Sequence, residues 1–289
     1  MVINRIRMKL IAVSVLPLII GALLAYMLLD AALIGEVLIA NSRNFSIESV
    51  VIQSLVSTGL GSLIVVSIFY MIQRKGSGAK KALVSIIVSP LLTISFYLLG
   101  QSLLLILFKS TTPSIWASLL SLASLGVFLM SFVFIITDSI PPFLKNFFVI
   151  FYGSIFGTFL GVIFITASMF VLVISVVFED YFLSRYTSST QEAFLSDIPG
   201  EDPFDFTRIQ TKNIAVGVGD YLAFSLISAH SLLFFPLHVW AMSMLLATIG
   251  IVINATVFVK EEEILPAIPL PAILALFPWV VHLLTLSIF

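Results

Sequence analysis

Apolar residues run along this chain in long blocks separated by short polar joints. Blocks of that length match the roughly 20 residues an α-helix needs to cross the hydrocarbon core of a bilayer. The pattern predicts membrane spans at 10–29, 50–72, 82–108, 114–136, 214–235, 237–259 and 265–288. Residues 146–178 form a further run of 33 residues without one charge. As a single helix that run would be about 50 Å long, against about 30 Å of hydrocarbon, so two short spans turning within 161–168 fit better.

Positive charges decide between the two readings, because Lys and Arg are kept in short cytoplasmic loops. With the run split and the amino terminus inside, only Arg43 and Lys109 of the 14 Lys and Arg residues lie outside. A single span there moves Arg185, Arg208, Lys212 and Lys260 outward too, and the bias falls to 8 against 6. The expected architecture is therefore all-α: a polytopic cell-membrane protein of nine transmembrane helices, amino terminus cytoplasmic and carboxyl terminus external.

Composition sharpens this. The 289 residues are 60% hydrophobic and 10% charged, with mean hydropathy +1.18, which excludes a soluble globular chain. The net charge of −1 and the lack of a long basic run argue against a nucleic-acid partner, and without cysteine there are no disulfides or thiolate metal sites. The basic start before Leu10 reads as the flank of a retained first helix, because the apolar run continues past Ala25 without a cleavage site. One domain is expected over 1–289, with five helices in 1–164 and four in 165–289. The polar segment 187–213, rich in Ser, Thr, Asp and Pro, is either a flexible linker or a segment that admits substrate.

Ionisable groups inside spans are costly and usually functional. Glu179 and Asp180 lie near the end of the sixth predicted span, and Asp220 lies in the seventh. Asp180 precedes the boundary charge Arg185 by about 7–8 Å of helix, and Asp220 follows Lys212 by about 12 Å, so the two aspartates share a depth on antiparallel neighbours. Two carboxyls that share one proton titrate as a pair, one serving as base on a water while the other polarises a peptide carbonyl. Gly217 and Gly219 strip side chains from the backbone before Asp220, where another backbone could draw near or the helix loosen. The last span opens on Pro266, Pro269 and Pro271, so regular helix is not expected before Pro271. Irregular backbone at that depth must be satisfied by protein or a water-filled cavity.

Together these residues resemble the presenilin and signal-peptide-peptidase family, the GxGD intramembrane aspartyl proteases, and especially its archaeal homologues. Gly217, Val218, Gly219 and Asp220 match the family's motif on the seventh helix. Leu265, Pro266, Ala267, Ile268 and Pro269 resemble its Pro-Ala-Leu motif on the ninth, with Ile268 for leucine. Asp180 stands where the sixth-helix aspartate falls, and Glu179 replaces the tyrosine that usually precedes it. The resemblance implies a presenilin-like fold and a catalytic pair, Asp180 and Asp220, without metal or cofactor. Its substrates would be transmembrane helices cut within the lipid bilayer near the cytoplasmic side. The proline segment and the residues just before Gly217 would bind unwound substrate as an added strand. The sequence names no accessory subunit.

Two other readings use the same residues: a prepilin-peptidase-like GxGD protease, and an ion- or proton-coupled transporter in which the aspartates bind the cation. No His-Glu-x-x-His zinc helix is present, and the Gly76-Ser77-Gly78 string sits in a basic loop. His230, His238 and His282 read as packed or interfacial histidines rather than a metal site. Gly153, Gly157 and Gly161 form a small-residue ridge for helix packing.

Overall fold

The computed structural model describes residues 5–29, 77–109, 113–187, 203–211, 214–258 and 267–288, with isolated helical positions between 48 and 59. Among the described residues the continuous helices are α1 (Arg5–Leu29), α2 (Ser77–Leu107), α3 (Ser114–Thr137), α4 (Pro142–Ile163), α5 (Thr166–Thr187), α6 (Val218–Phe234), α7 (Leu237–Ile253) and α8 (Pro269–Ile288). Between α5 and α6 lie a 3₁₀ turn (Pro203–Phe206) and a hairpin of β1 (Arg208–Thr211) and β2 (Ile214–Gly217). Prolines mark helix starts: Pro113, Pro141 and Pro236 occupy the caps of α3, α4 and α7, where the missing N–H has no intrahelical partner anyway. Among the described residues, α1, α2, α3, α4, α8 and α7 extended through Phe258 are long and apolar enough to cross a membrane; α6 is apolar but shorter. The chain is thus a helical, membrane-embedded protein. The predicted 50–72 span lies mostly outside the described residues, although Thr58 donates its hydroxyl to Ser175 Oγ at 3.1 Å.

The charge-free run is indeed two helices, α4 and α5, broken at 164–165. His230 of α6 fastens the break from both sides. Its Nδ1 meets Gly161 O at 2.7 Å and its Nε2 meets the Thr166 hydroxyl at 3.1 Å. A carbonyl can only accept, so Nδ1 carries the proton and Nε2 accepts from Thr166. Phe234, Phe235 and Trp279 pack around its ring.

Helix α6 is the packing centre, with α1 on one side and α4 on the other. In lipid no hydrophobic force drives helices together, so close backbone approach and interhelical hydrogen bonds must do it. The α4 ridge supplies the approach. A Cβ on Gly157 would lie 2.5 Å from Leu222 O, and one on Gly161 2.5 Å from Leu226 O. On the opposite side, a Cβ on Gly21 would lie 2.5 Å from Ser225 O. Tyr221 and Ser228 of α6 donate to the backbone of α1, at Val13 O (2.7 Å) and Leu18 O (2.6 Å). Helices α2 and α3 pair beside this core, as do α7 and α8, where Gly250 abuts Pro271 and Ser243 Oγ reaches Ala275 O at 2.8 Å.

Two expectations need correction. The span predicted over 214–235 is not helical throughout: 214–217 is β2, paired antiparallel with β1 from Arg208↔Gly217 to Thr211↔Ile214. Ile-Ala-Val is a short apolar run whose period cannot separate strand from helix, and the partner strand lies in the polar insertion. Asp220 therefore stands in the first turn of α6 rather than two turns into a helix. Regular helix also begins before Pro271. Helix α8 starts at Pro269, and Ile268 O accepts the first helical bond from Ala272 N at 3.0 Å. Pro269 and Pro271 both fall in the first turn, where no backbone donor is needed. Pro266 and Leu265 lie outside the described residues.

Candidate active site

Three chain segments meet at one end of the core. The first is the last part of α5, which carries Asp180, partly buried. The second is the junction of β2 and α6. Val218 N donates to Thr207 O at 2.8 Å, closing the hairpin against the helix start and setting Asp220, 8% exposed, in the first turn. The third is the bend at Ala267 and Ile268 that leads into α8.

The contacts between them are specific. Ile268 N donates to Asp180 Oδ2 at 3.0 Å, and the Ala267 N–H is directed at the same carboxyl. Ile268 also faces the glycine motif: a Cβ on Gly219 would lie 3.8 Å from Ile268 Cδ1. The Asp180 and Asp220 carboxyls are near enough to interact electrostatically. Of the predicted site residues, Asp180, Asp220, Gly219, Ala267 and Ile268 are brought together, with Gly217, Val218 and Pro269 adjoining them in the chain. Glu179 forms no hydrogen bond or ion pair among the described residues, so Asp180 is the carboxyl that engages the third segment.

The glycines leave room. The nearest heavy atoms to a Cβ at Gly217 and Gly219 are 3.9 and 3.8 Å away, ordinary contact distances, and neither residue has a left-handed backbone. This differs from Gly157 and Gly161, which are wedged against α6.

The hairpin is anchored by residues the sequence reading did not single out. Tyr152 OH donates to Phe206 O at 2.7 Å inside the core. Lys145, 1% exposed, pairs with Asp138 Oδ1 at 2.6 Å and lies 5.0 Å over the Phe206 ring. Arg208 holds Asp205 Oδ1 through Nε and Nη2. Residues 203–211 are thus packed against α4 rather than a flexible linker, while 188–202 lie outside the described residues. Asn254 was also missed: its Nδ2 donates to Ala267 O at 2.9 Å. A lone carboxamide within the apolar string Gly250-Ile-Val-Ile-Asn-Ala-Thr-Val-Phe was the available signal.

Among the described residues no group of three or more His, Asp or Glu could hold a metal ion. His238 and His282 stack edge-on with ring centroids 6.3 Å apart, and Phe235 packs between His282 and His230, whose ring nitrogens are taken up by Gly161 and Thr166. Comparison of the chain with protein-family models, with curated proteins and with solved structures gave no match.

Proposed function

We propose that this protein is an intramembrane aspartyl endopeptidase of the GxGD type, similar in kind to the presenilin and signal-peptide-peptidase family. The observation that carries this reading is the convergence of Asp180, Asp220 and the Ala267–Ile268 bend from three separate segments. Two interacting carboxyls hold one proton between them. The ionised one takes a proton from a water as its oxygen attacks the substrate carbonyl. The protonated one donates to the carbonyl oxygen, and a proton then passes to the leaving amine as the C–N bond breaks. No metal and no covalent intermediate is needed.

A helical substrate hides its carbonyls and must unwind before cleavage. Strand β2 ends at Gly217, directly before the site, and is paired on one edge with β1. Its other edge offers main-chain partners to an unwound substrate segment, held as an added strand beside the open space at Gly217 and Gly219. In this reading the chain crosses the membrane nine times, α5, α6 and the 50–72 segment adding to the six long apolar helices α1, α2, α3, α4, α7 and α8, with the site near the cytoplasmic face.

Purified protein in lipid, incubated with a single-span peptide, is expected to yield new termini by mass spectrometry within the span. No cleavage together with proton- or cation-coupled uptake in vesicles would overturn the protease assignment.

A further inference from the structure

Helix α7 does not end in a regular cap. It widens into a π turn over Asn254–Phe258, a feature that costs regular hydrogen bonding and commonly accompanies function. Two side-chain hydrogen bonds tie this turn to other parts of the fold. Arg7 Nη1 of α1 donates to Thr256 O at 3.0 Å. Asn254 reaches out of the turn, and its Nδ2 donates to Ala267 O at 2.9 Å.

The carbonyl of Ala267 and the N–H of Ile268 belong to one peptide group. That group is planar and trans, so its C=O and N–H point in opposite directions and turn together. Asn254 holds the oxygen end and Asp180 accepts from the nitrogen end. The peptide is clamped at both ends, and the Asn254 bond sets the angle at which the N–H meets Asp180.

We propose that Asn254 is a positioning residue for the Asp180 carboxyl, acting through the Ala267–Ile268 peptide. The proposal rests on the protease reading for its kinetic consequence, while the clamp itself is measurable without cleavage. Only a donor serves at position 254: leucine gives none, and aspartate turns an acceptor toward the Ala267 carbonyl. Without the clamp the peptide rotates and Asp180 loses a fixed partner. Misplacement of a reacting group by about an ångström costs on the order of 100-fold in rate.

The test uses the full-length chain in lipid with Asn254→Leu, Asn254→Asp and Asn254→Gln. For Leu and Asp the expected result is a fall in kcat of about 10- to 100-fold with KM nearly unchanged. The pH–rate profile should be displaced, and Gln, which keeps the donor, should restore part of the rate. Wild-type kcat and an unmoved pH profile in Asn254→Leu overturn the proposal; so does a rate loss that merely tracks a lowered thermal midpoint. If the wild-type chain does not cleave, the protease reading fails on its own. Amide hydrogen exchange at Ile268 then decides the clamp: faster in Asn254→Leu supports it, and unchanged exchange overturns it.

Discussion

Gly157 and Gly219 respond oppositely to one added methyl. At Gly157 a Cβ would stand 2.5 Å from Leu222 O, about an ångström inside ordinary contact, and the obstruction is backbone that no rotamer change can remove. Helices α4 and α6 must part to admit it. Overpacking of this kind costs roughly 1–3 kcal/mol. At Gly219 the same atom would stand 3.8 Å from a side-chain methyl of Ile268, in the first turn of α6, with ordinary helical backbone. There alanine costs nothing sterically and gains up to about 1 kcal/mol of helix propensity. Gly157→Ala should therefore lower the thermal midpoint measured by circular dichroism in detergent, while Gly219→Ala leaves it unchanged or raises it. Cleavage should report the reverse sensitivity. Per folded molecule, Gly219→Ala is expected to lose activity, because under the proposed protease function its methyl would enter the space assigned to substrate backbone. If Gly219→Ala unfolds the protein, or if it cleaves at the wild-type rate, the division between packing glycines and site glycines is wrong.

Other consequences follow from the same contacts. A pair working with one shared proton requires a bell-shaped pH dependence of kcat/KM, rising as the first proton leaves the pair and falling as the second leaves; a single sigmoid would contradict it. Tyr152→Phe removes the donor to Phe206 O and should cost about 1–3 kcal/mol, read as faster amide exchange in β1 and β2 with little change in α2 or α3. Lys145→Met leaves Asp138 without its ion-pair partner and should cost about 3 kcal/mol, the low end for a buried pair because Asp138 is 16% exposed. The double variant with Asp138→Asn should recover most of that loss in a thermal melt.

Much of this arrangement was legible in the sequence because the membrane restricts the choices. A split within 161–168 followed from the length of the charge-free run and the placement of Arg185, Arg208, Lys212 and Lys260, and the structure puts it at 164–165. Asp180 and Asp220 stood out as acids in apolar surroundings, and the ridge of Gly153, Gly157 and Gly161 announced close packing without naming its partner, which is α6. What escaped was non-local. The residues Ile214–Gly217 read as helix because their alternative, pairing with Arg208–Thr211, depends on a strand across a turn in a polar segment. The prolines at 269 and 271 read as helix breakers because their cost depends on whether they precede or follow the first turn. Lys145 was counted only as a boundary charge, although it is buried against Asp138 and Phe206. Asn254 carries no charge and interrupts its span by a single polar group, so hydropathy passes over it.

The claim at the centre of this account is that Asp180 and Asp220, and not Glu179, form the working pair. It is tested most directly by the cleavage rate of a single-span substrate in lipid with Asp180→Asn, Asp220→Asn and Glu179→Gln, each shown to be folded by its thermal melt. The account predicts loss of detectable cleavage in both asparagine variants and a rate within a few-fold of wild type for Glu179→Gln. Cleavage that survives Asp180→Asn but disappears in Glu179→Gln would contradict it.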